Sequence, residues 1–263
     1  MMKIGARVSF EHMDDLTRNF KSVDFPFELA LPWHYQNMWL PVQDRITEII
    51  DFFKNNDFEI LSLHATQGKI TEESFLTWGR QTLSIAQNLE IRDITIHPNM
   101  IKSQRTRFQE QVLHYIKLLG GEDHFSIETF AGKNRIFTPR DLVERSLPIT
   151  LDTAHIYDRQ EVMDLIGRNH RNIRTIHLSA IGKGEHHLPI DDFCIKVAEQ
   201  LKKINWSGNL ILEYLPWHHY RLRDDITMLS NYLFNNARLE LLPVSDQFRN
   251  DPERWGFNAD GTN

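Results

Sequence analysis

Hydrophobic and polar positions change their spacing repeatedly along the chain, and this pattern predicts short strands that alternate with helices. Runs such as Phe58–His64 (FEILSLH) and Asp93–His97 (DITIH) are short, largely apolar and bounded by polar residues, as buried strands are. Between such runs, apolar residues recur at helical spacing, for example in the segment that begins near Thr71. Gly120 and Gly121 end one of these helical segments, because glycine commonly follows the last turn of a helix.

Eight strand-like runs are found, and their order predicts the fold class. In chain order they read KIGARVSF, FELAL, FEILSLH, DITIH, FSIETF, LPITLD, IRTIHL and GNLILEYL. Strict alternation of strands with helices calls for a parallel sheet, and eight units within 263 residues favour a closed (β/α)8 barrel over an open doubly wound sheet. We therefore predict an α/β protein with a single TIM barrel over residues 1–235. Residues 236–263 are polar and are predicted to form a C-terminal surface arm, partly disordered at its end.

Composition and charge narrow the class of protein. No run of about 18 apolar residues occurs, so no membrane span is expected, and the N-terminal residues lack the apolar core of a signal peptide. The single cysteine, Cys194, excludes an internal disulfide framework, is expected to be a small buried hydrophobe, and fits a reducing cytoplasm. The net charge of −6 argues against a nonspecific nucleic-acid binder, whose affinity depends on basic residues.

Six of the predicted strands end in a residue that can bind a metal or move a proton. These residues are His64, His97, Glu128, Asp152, His177 and Glu213. The carboxyl ends of all strands of such a barrel open onto one face, so the six side chains are expected to meet in one cup. Any one of them alone is most simply a satisfied polar residue. Together they carry no lysine or arginine partner of their own, and burying them is costly unless a divalent cation neutralises them.

The segment LDTAHIY extends this set by one residue. Asp152 ends its strand, and His155 follows three residues later in the turn towards the next helix, from where it is expected to reach the same cup. Nitrogen and carboxylate ligands without thiolates suit Zn²⁺ or Mn²⁺, and a histidine-rich set favours zinc. The sequence therefore predicts a zinc site, with Mn²⁺ or Mg²⁺ as the alternatives.

At these residues the chain resembles the superfamily that joins endonuclease IV with the xylose isomerase-like sugar isomerases and epimerases. KIGARVS is similar to the opening of endonuclease IV, IHPN to its His-Pro-Gly turn, and IETFAG to its Glu-Asn-Thr-Ala-Gly segment. LDTAHIY, IHLSAIGKG and LILEYLP are similar to three further segments in the same order. The resemblance covers nearly the whole barrel and implies a metal-dependent TIM-barrel enzyme.

The resemblance also implies a particular ligand set, a cluster of two or three metal ions. His64, His97 and Glu128 would hold one ion, Glu128 would bridge to a second ion completed by Asp152, His177 and Glu213, and His155 would help to hold a third. In the family, the third ion also takes an Asp-x-His pair. Here the loop reads GEHH, so that either Glu185 with His187 keeps the acid-x-His spacing, or His186 aligns and Gly184 stands in the place of the acid.

One departure from the family concerns DNA. Endonuclease IV inserts a Tyr-Leu wedge into the duplex, whereas this chain has Gln67 and Gly68 at those places. A Gln-Gly pair cannot replace aromatic stacking, which contributes about 1–3 kcal/mol per base. Nucleic acid is therefore disfavoured as the substrate, and a small phosphorylated or sugar-like molecule is expected instead.

Three functions follow from this reasoning. The first is a phosphoester hydrolase, in which a cluster bridged by Glu128 lowers the pKa of a bound water that attacks phosphorus. The second is a sugar or sugar-phosphate isomerase or epimerase that uses one ion, with Glu128 and Glu213 as the acid and base. The third is a barrel that binds a metal or metabolite without turning it over.

Loops at the same predicted face supply candidate substrate-binding residues. Lys183 in GKGEHH is a candidate for contacting a substrate phosphate, and an exposed lysine without such a role is the alternative. Trp33 and Trp217 belong to a set of loop aromatics suited to stacking on a sugar face, with packing onto the barrel rim as the alternative.

Overall fold

The fold was obtained as a computed structural model, which describes residues 1–9, 25–31, 43–56, 58–65, 70, 73–97, 103–130, 135–182 and 184–235. Four predictions lie outside these residues: those on Trp33 and Lys183, on the loop with Gln67 and Gly68, and on the arm at 236–263. Among the described helices, none is both long and apolar enough to cross a bilayer.

Eight parallel strands close into a barrel, which confirms the predicted fold class. They are β1 (Lys3–Ser9), β2 (Phe27–Ala30), β3 (Ile60–His64), β4 (Asp93–Ile96), β5 (Phe125–Glu128), β6 (Ile149–Asp152), β7 (Ile173–Leu178) and β10 (Asn209–Leu212). Around the barrel the order is β1-β10-β7-β6-β5-β4-β3-β2, so that sequential strands are neighbours and β10 closes the sheet onto β1. All eight carboxyl ends therefore point to the same face of the barrel.

Helices connect the strands, as the alternation predicts. The described residues include α1 (Gln43–Asn56), α2 (Ser74–Asn88), α3 (Arg105–Leu118), α4 (Pro139–Glu144), α5 (Arg159–Asn169), α6 (Asp192–Lys203) and α7 (Leu222–Asn235), with a 3-10 turn at Pro216–Arg221. Side chains just before the helices fix several starts: Asp158 accepts from two backbone N–H groups of α5, and Asp191 does so for α6. Cys194 lies in α6 and is fully buried, as expected.

The two faces of the strands have opposite character. Residues that point outwards, such as Leu29, Ile94 and Leu151, are buried against the helices and form the hydrophobic core. The alternate residues point into the barrel and are mostly polar, although the interiors of such barrels are usually filled by branched apolar side chains. Thr150 of β6, for example, is hydrogen-bonded at 2.7 Å to Ser126 of the neighbouring strand β5 and at 2.9 Å to Thr95 of β4, one strand further round the barrel. The barrel axis is therefore a polar space beneath the open face.

A two-stranded antiparallel hairpin that the sequence pattern did not predict follows β7. It consists of β8 (Ala180–Gly182) and β9 (Glu185–Leu188). Its turn includes Gly184, whose φ of 84° lies in the left-handed region that glycine adopts without strain. The hairpin carries the GEHH segment to the open face of the barrel, next to the strand ends.

Candidate metal centre

The six residues predicted from strand ends do come together at the carboxyl face. His64, Glu128 and Asp152 are the last residues of β3, β5 and β6, His177 is the last but one of β7, and His97 and Glu213 directly follow β4 and β10. Ligand atoms of five of them, with those of His155 and His187, form three overlapping groups, within each of which the atoms lie no more than 4.8 Å apart, and His97 lies beside these groups through its contact with Glu128. These groups are His64–Glu128–His177, Glu128–Asp152–His177–Glu213 and Asp152–His155–His187.

Glu128 lies at the middle of this cluster and faces two different sets of nitrogens. Its Oε2 contacts Nε2 of His97 and lies 3.4 Å from Nε2 of His64, and these two imidazole nitrogens are 3.0 Å apart. Its Oε1 lies 2.9 Å from Nδ1 of His177 on the other side. The carboxylate is fully buried. One oxygen of Glu128 is thus directed to His64 and His97 and the other to His177, so the carboxylate would be placed to hold ions on both sides.

Asp152 and His155 form the side of the cluster nearest the rim. Oδ1 of Asp152 accepts hydrogen bonds from the backbone N–H groups of Ala154 at 2.6 Å and of His155 at 3.2 Å, which fixes the turn after β6. Oδ2 points into the cup and lies 3.1 Å from Nδ1 of His155. The imidazole of His155 is stacked on the ring of Phe130, with centroids 3.9 Å apart. The D-x-x-H spacing therefore directs both side chains into one site.

The hairpin contributes His187 to the cup and leaves its neighbours outside. His187 has a φ of 56°, a left-handed conformation that is uncommon for a residue other than glycine and that often marks a functional position. Its Nδ1 lies 3.3 Å from Oγ of Ser179 and 3.7 Å from Oε1 of Glu213. His186 donates from Nδ1 to the carbonyl of Ala154, and Glu185 is exposed. Of the two histidines considered for the third group, His187 lies in the cup and His186 does not. The acidic partner of His187 there is Asp152 and not Glu185 of its own loop.

The expectation that no arginine accompanies these residues is wrong. Arg7 of β1 has a side chain that is 8% exposed, and its Nη1 contacts Oε1 of Glu213. The alternation of side chains along β1 could have revealed this contact. Arg7 lies two residues after Gly5 in KIGARVS, so both are on the same face of the strand, which is the polar face inside the barrel. Arg7 therefore supplies part of the positive charge that the sequence pattern attributes to a metal ion alone. It holds one oxygen of Glu213 and leaves the other, Oε2, directed into the cup.

A second functional candidate that sequence reasoning missed is Glu28 of β2. Its side chain is fully buried, and its Oε1 lies 2.9 Å from Nε2 of His177, although the two atoms are not aligned as a hydrogen bond. Its Oε2 accepts a hydrogen bond from Oγ of Ser62 at 2.7 Å. An acidic residue at the second position of the otherwise apolar run FELAL was the available signal, because an inward carboxylate needs a partner.

Burial and charge give the histidines of the cluster different protonation. Burial lowers the pKa of His64 to about 4 and that of His155 to about 3, so both imidazoles are neutral at pH 7 and keep a lone pair for coordination. Burial also lowers the pKa of His187. Burial opposes the charged form of His177 as well, but the carboxylates of Glu28 and Glu213 outweigh it and raise its pKa well above the usual value.

The carboxylates of the cup compete with one another for positive charge. Burial disfavours the ionised form of Glu128, yet His97 and the hydrogen bonds from His177 and His64 hold its pKa well below normal. For Asp152, burial and the charges of Glu213 and Glu128 raise the pKa well above normal. Acids crowded in this way are stable together only if a proton or a cation neutralises part of their charge.

The residues of the cluster fit a divalent metal ion. Oδ2 of Asp152, Nδ1 of His155 and Oε2 of Glu213 are buried and have no aligned hydrogen bond within the described part of the chain. They all face the cup, where an ion would satisfy them. Imidazole nitrogens and carboxylate oxygens without thiolates are the donor set of zinc and manganese sites.

Trp217 lies in the 3-10 turn that follows β10, at the same face of the barrel. It is 42% exposed, and its ring centroid is 6.2 Å from that of His218. An exposed indole beside the open end of the barrel is available for stacking, so the predicted substrate contact stays a prediction.

A scan against protein-family models finds no match for the chain, and a search of curated proteins also finds none. Solved structures share its fold. The structure of 3-keto-D-glucoside 4-epimerase from E. coli matches with a TM-score of 0.65 and 16% identity, over 88% of this chain and 100% of that one. A xylose isomerase domain protein from Planctomyces limnophilus matches with a TM-score of 0.63 and 14% identity, over 89% and 98%. Endonuclease IV from Thermus thermophilus matches with a TM-score of 0.57 and 15% identity, over 86% and 99%. The resemblance noted from the sequence is thus confirmed for the fold.

Proposed function

We propose that the protein is a metal-dependent phosphoester hydrolase with two or three zinc ions in the cup, acting on a substrate smaller than duplex DNA. Mn²⁺ or Mg²⁺ are the alternative ions. The observation that carries the proposal is the position of Glu128, whose Oε2 faces the imidazoles of His64 and His97 and whose Oε1 faces that of His177. A site for one ion does not need His64 and His97 as ligands, because they would lie beyond the four ligands of such an ion and would be left to bind substrate hydroxyls.

Divalent cations at adjacent positions lower the pKa of water and neutralise the charge that develops on a leaving oxygen. The chain's own residues prepare the site for this chemistry. Glu128 separates the two groups of nitrogens, and Arg7 restrains Glu213 to a single free oxygen. The stacked rings of Phe130 and His155 hold the imidazole of His155 in place beside the cup.

The experiment is a metal count combined with an assay on a generic substrate. Purified protein is dialysed free of loose metal, its zinc and manganese are measured by elemental analysis, and hydrolysis of bis(4-nitrophenyl) phosphate is followed with each ion. We expect at least two ions per chain and hydrolysis that depends on them. One ion per chain, with no cleavage in the presence of zinc, manganese or magnesium, would refute the proposal.

A sugar or sugar-phosphate isomerase or epimerase is the second candidate, and one observation favours it. Four buried residues, three carboxylates and one imidazole, are enough by themselves to hold one ion: Glu128, Asp152, His177 and Glu213. In that function Glu128 and Glu213 would move a proton at the carbon next to a polarised carbonyl. Epimerases are also among the solved structures of similar fold. Incubation with a panel of ketoses in D₂O distinguishes this candidate, because only an isomerase or epimerase places deuterium on carbon.

A further inference from the structure

We propose that Glu28 is a positioning residue that fixes the ring orientation and tautomer of His177 as a metal ligand. The inference rests on the proposed metal site, but it concerns a carboxylate that lies outside the three groups of ligand atoms. Glu28 touches the site through His177, from the side of the ring that faces away from the cup.

His177 lies between carboxylates on both sides of its ring. Nδ1 is 2.9 Å from Oε1 of Glu128 and 2.9 Å from Oε2 of Glu213, so Nδ1 faces the cup. Nε2 points the opposite way and is 2.9 Å from Oε1 of Glu28. A neutral imidazole carries one N–H and one lone pair. If the lone pair of Nδ1 is given to an ion, the proton is on Nε2, and the carboxylate placed to accept it is Glu28.

Glu28 is itself held in place by the sheet. Strands β2 and β3 are in a register that pairs Glu28 with Ser62, and Oγ of Ser62 donates to Oε2 of Glu28 at 2.7 Å. This leaves Oε1 as the oxygen directed at His177. Glu28 is fully buried in the barrel. A buried carboxylate is costly to the fold, and its position directly behind a candidate ligand gives it a use.

The arrangement of carboxylate, imidazole and ion is the usual way in which proteins orient a ligating histidine. The outer carboxylate selects the tautomer, restricts rotation of the ring and makes the coordinating nitrogen more basic. Loss of such a partner typically weakens metal binding by about 10–100-fold. We expect the same loss here for the one zinc site to which Nδ1 of His177 would give its lone pair, while the group formed by Asp152, His155 and His187 is not affected directly.

The test compares Glu28→Ala and Glu28→Gln with the wild type. Zinc affinity is measured by competition with a chromophoric chelator, and the d–d absorption of bound Co²⁺ reports the ligand geometry. We expect Glu28→Ala to weaken one zinc site by about 10–100-fold and to change the Co²⁺ spectrum. Glu28→Gln should lie between this variant and the wild type, because its amide oxygen still accepts from Nε2 while the charge is lost. Asp93→Asn is the matched control, since Asp93 is a carboxylate at the first residue of β4, where Asn209 donates to it at 3.2 Å.

The outcomes separate this inference from the proposed function. If the wild type binds two or more ions and Glu28→Ala has the same affinity and Co²⁺ spectrum, the role of Glu28 is refuted and the metal site stands. If the wild type binds no ion, the proposed function fails. Crystal structures of the metal-free wild type and of Glu28→Ala then test whether Glu28 orients His177, and a His177 ring in the same position in both refutes the inference. Should Glu28→Ala not fold, Glu28→Gln and Ser62→Ala replace it, and wild-type affinity in both would overturn the role.

Discussion

His97→Ala is the substitution that most directly probes whether the cup holds more than one ion. Nε2 of His97 lies 3.0 Å from Nε2 of His64 and contacts Oε2 of Glu128. His97 is 8% exposed and lies at the end of a strand, with its ring against Phe130. Its removal therefore takes away one donor from the His64 side of Glu128 and leaves the four ligands Glu128, Asp152, His177 and Glu213 complete.

The size of the effect follows from the number of ligands. Zinc sites with four protein ligands bind with apparent free energies of about 10–16 kcal/mol, so one ligand contributes about 3 kcal/mol. At about 1.4 kcal/mol per tenfold change, His97→Ala should weaken the site on the His64 side about 100-fold. One ion should then be lost on dialysis while the others remain. Hydrolysis of a phosphodiester should fall with it, because the substrate loses one of its stabilising cations.

The assay is elemental analysis of dialysed protein together with calorimetric titration of zinc. His186→Ala is the matched control, because His186 lies at the same rim but does not contact Glu128: its Nδ1 donates to the carbonyl of Ala154 and its Nε2 lies 3.3 Å from the hydroxyl of Tyr157. We expect the control to keep the wild-type ion count. Equal metal content in His97→Ala and the wild type would refute the assignment of two sites to Glu128. A loss of all ions would show instead that the cup works as a single site.

Three further predictions concern charge, pH and the substrate. Arg7→Met leaves Glu213 without the guanidinium that contacts it and should lower the unfolding free energy of the metal-free protein by about 3–5 kcal/mol. In thermal melts, zinc should raise the melting temperature of the variant more than that of the wild type. An equal rise in both proteins contradicts the pairing of Arg7 with Glu213. His155→Gln removes a histidine whose pKa burial lowers to about 3. That histidine takes up a proton near pH 6.5 only in the unfolded state. The unfolding free energy of the metal-free wild type should therefore fall relative to that of the variant as the pH is lowered from about 6.5 towards 3, by up to about 1.4 kcal/mol per pH unit. Urea melts that give the two proteins the same dependence of unfolding free energy on pH would rule this out. Trp217→Ala should raise KM several-fold with an unchanged ion count, and an unchanged KM would remove this residue, which is 42% exposed, from the substrate contacts.

The barrel and most of the cluster could be predicted because they depend on local patterns. A run such as FSIE is apolar in alternate positions and ends in an acid, and strand ends of a parallel barrel share one face. Glu128, Asp152 and His177 were therefore placed together without knowledge of any distance. Asp152 and His155 were found in the same way, because a turn directly after a strand keeps both side chains at its end.

What could not be predicted depends on contacts between distant strands. The pairing of Arg7 with Glu213 and that of Glu28 with His177 join residues of β1 and β2 to residues much later in the chain, and no local pattern specifies such partners. The choice of His187 within GEHH required the hairpin and its left-handed backbone at that residue. Periodicity did not detect the hairpin because neither AIG nor EHHL has the alternation of apolar and polar residues that marks a strand.

The charge of the cup connects the number of ions with the class of substrate. Among the described residues, four buried carboxylates (Glu28, Glu128, Asp152 and Glu213) lie in the cup and the guanidinium of Arg7 contacts one of them, so these five groups sum to −3 when the carboxylates are ionised and the imidazoles are neutral, as metal ligands would be. One divalent ion leaves −1, which favours a neutral sugar over an anion. Two ions give +1, which complements the single negative charge of a phosphodiester. The ion count therefore distinguishes the two proposed functions on electrostatic grounds, independently of any assay for turnover, because a buried charge of either sign binds the ligand that neutralises it.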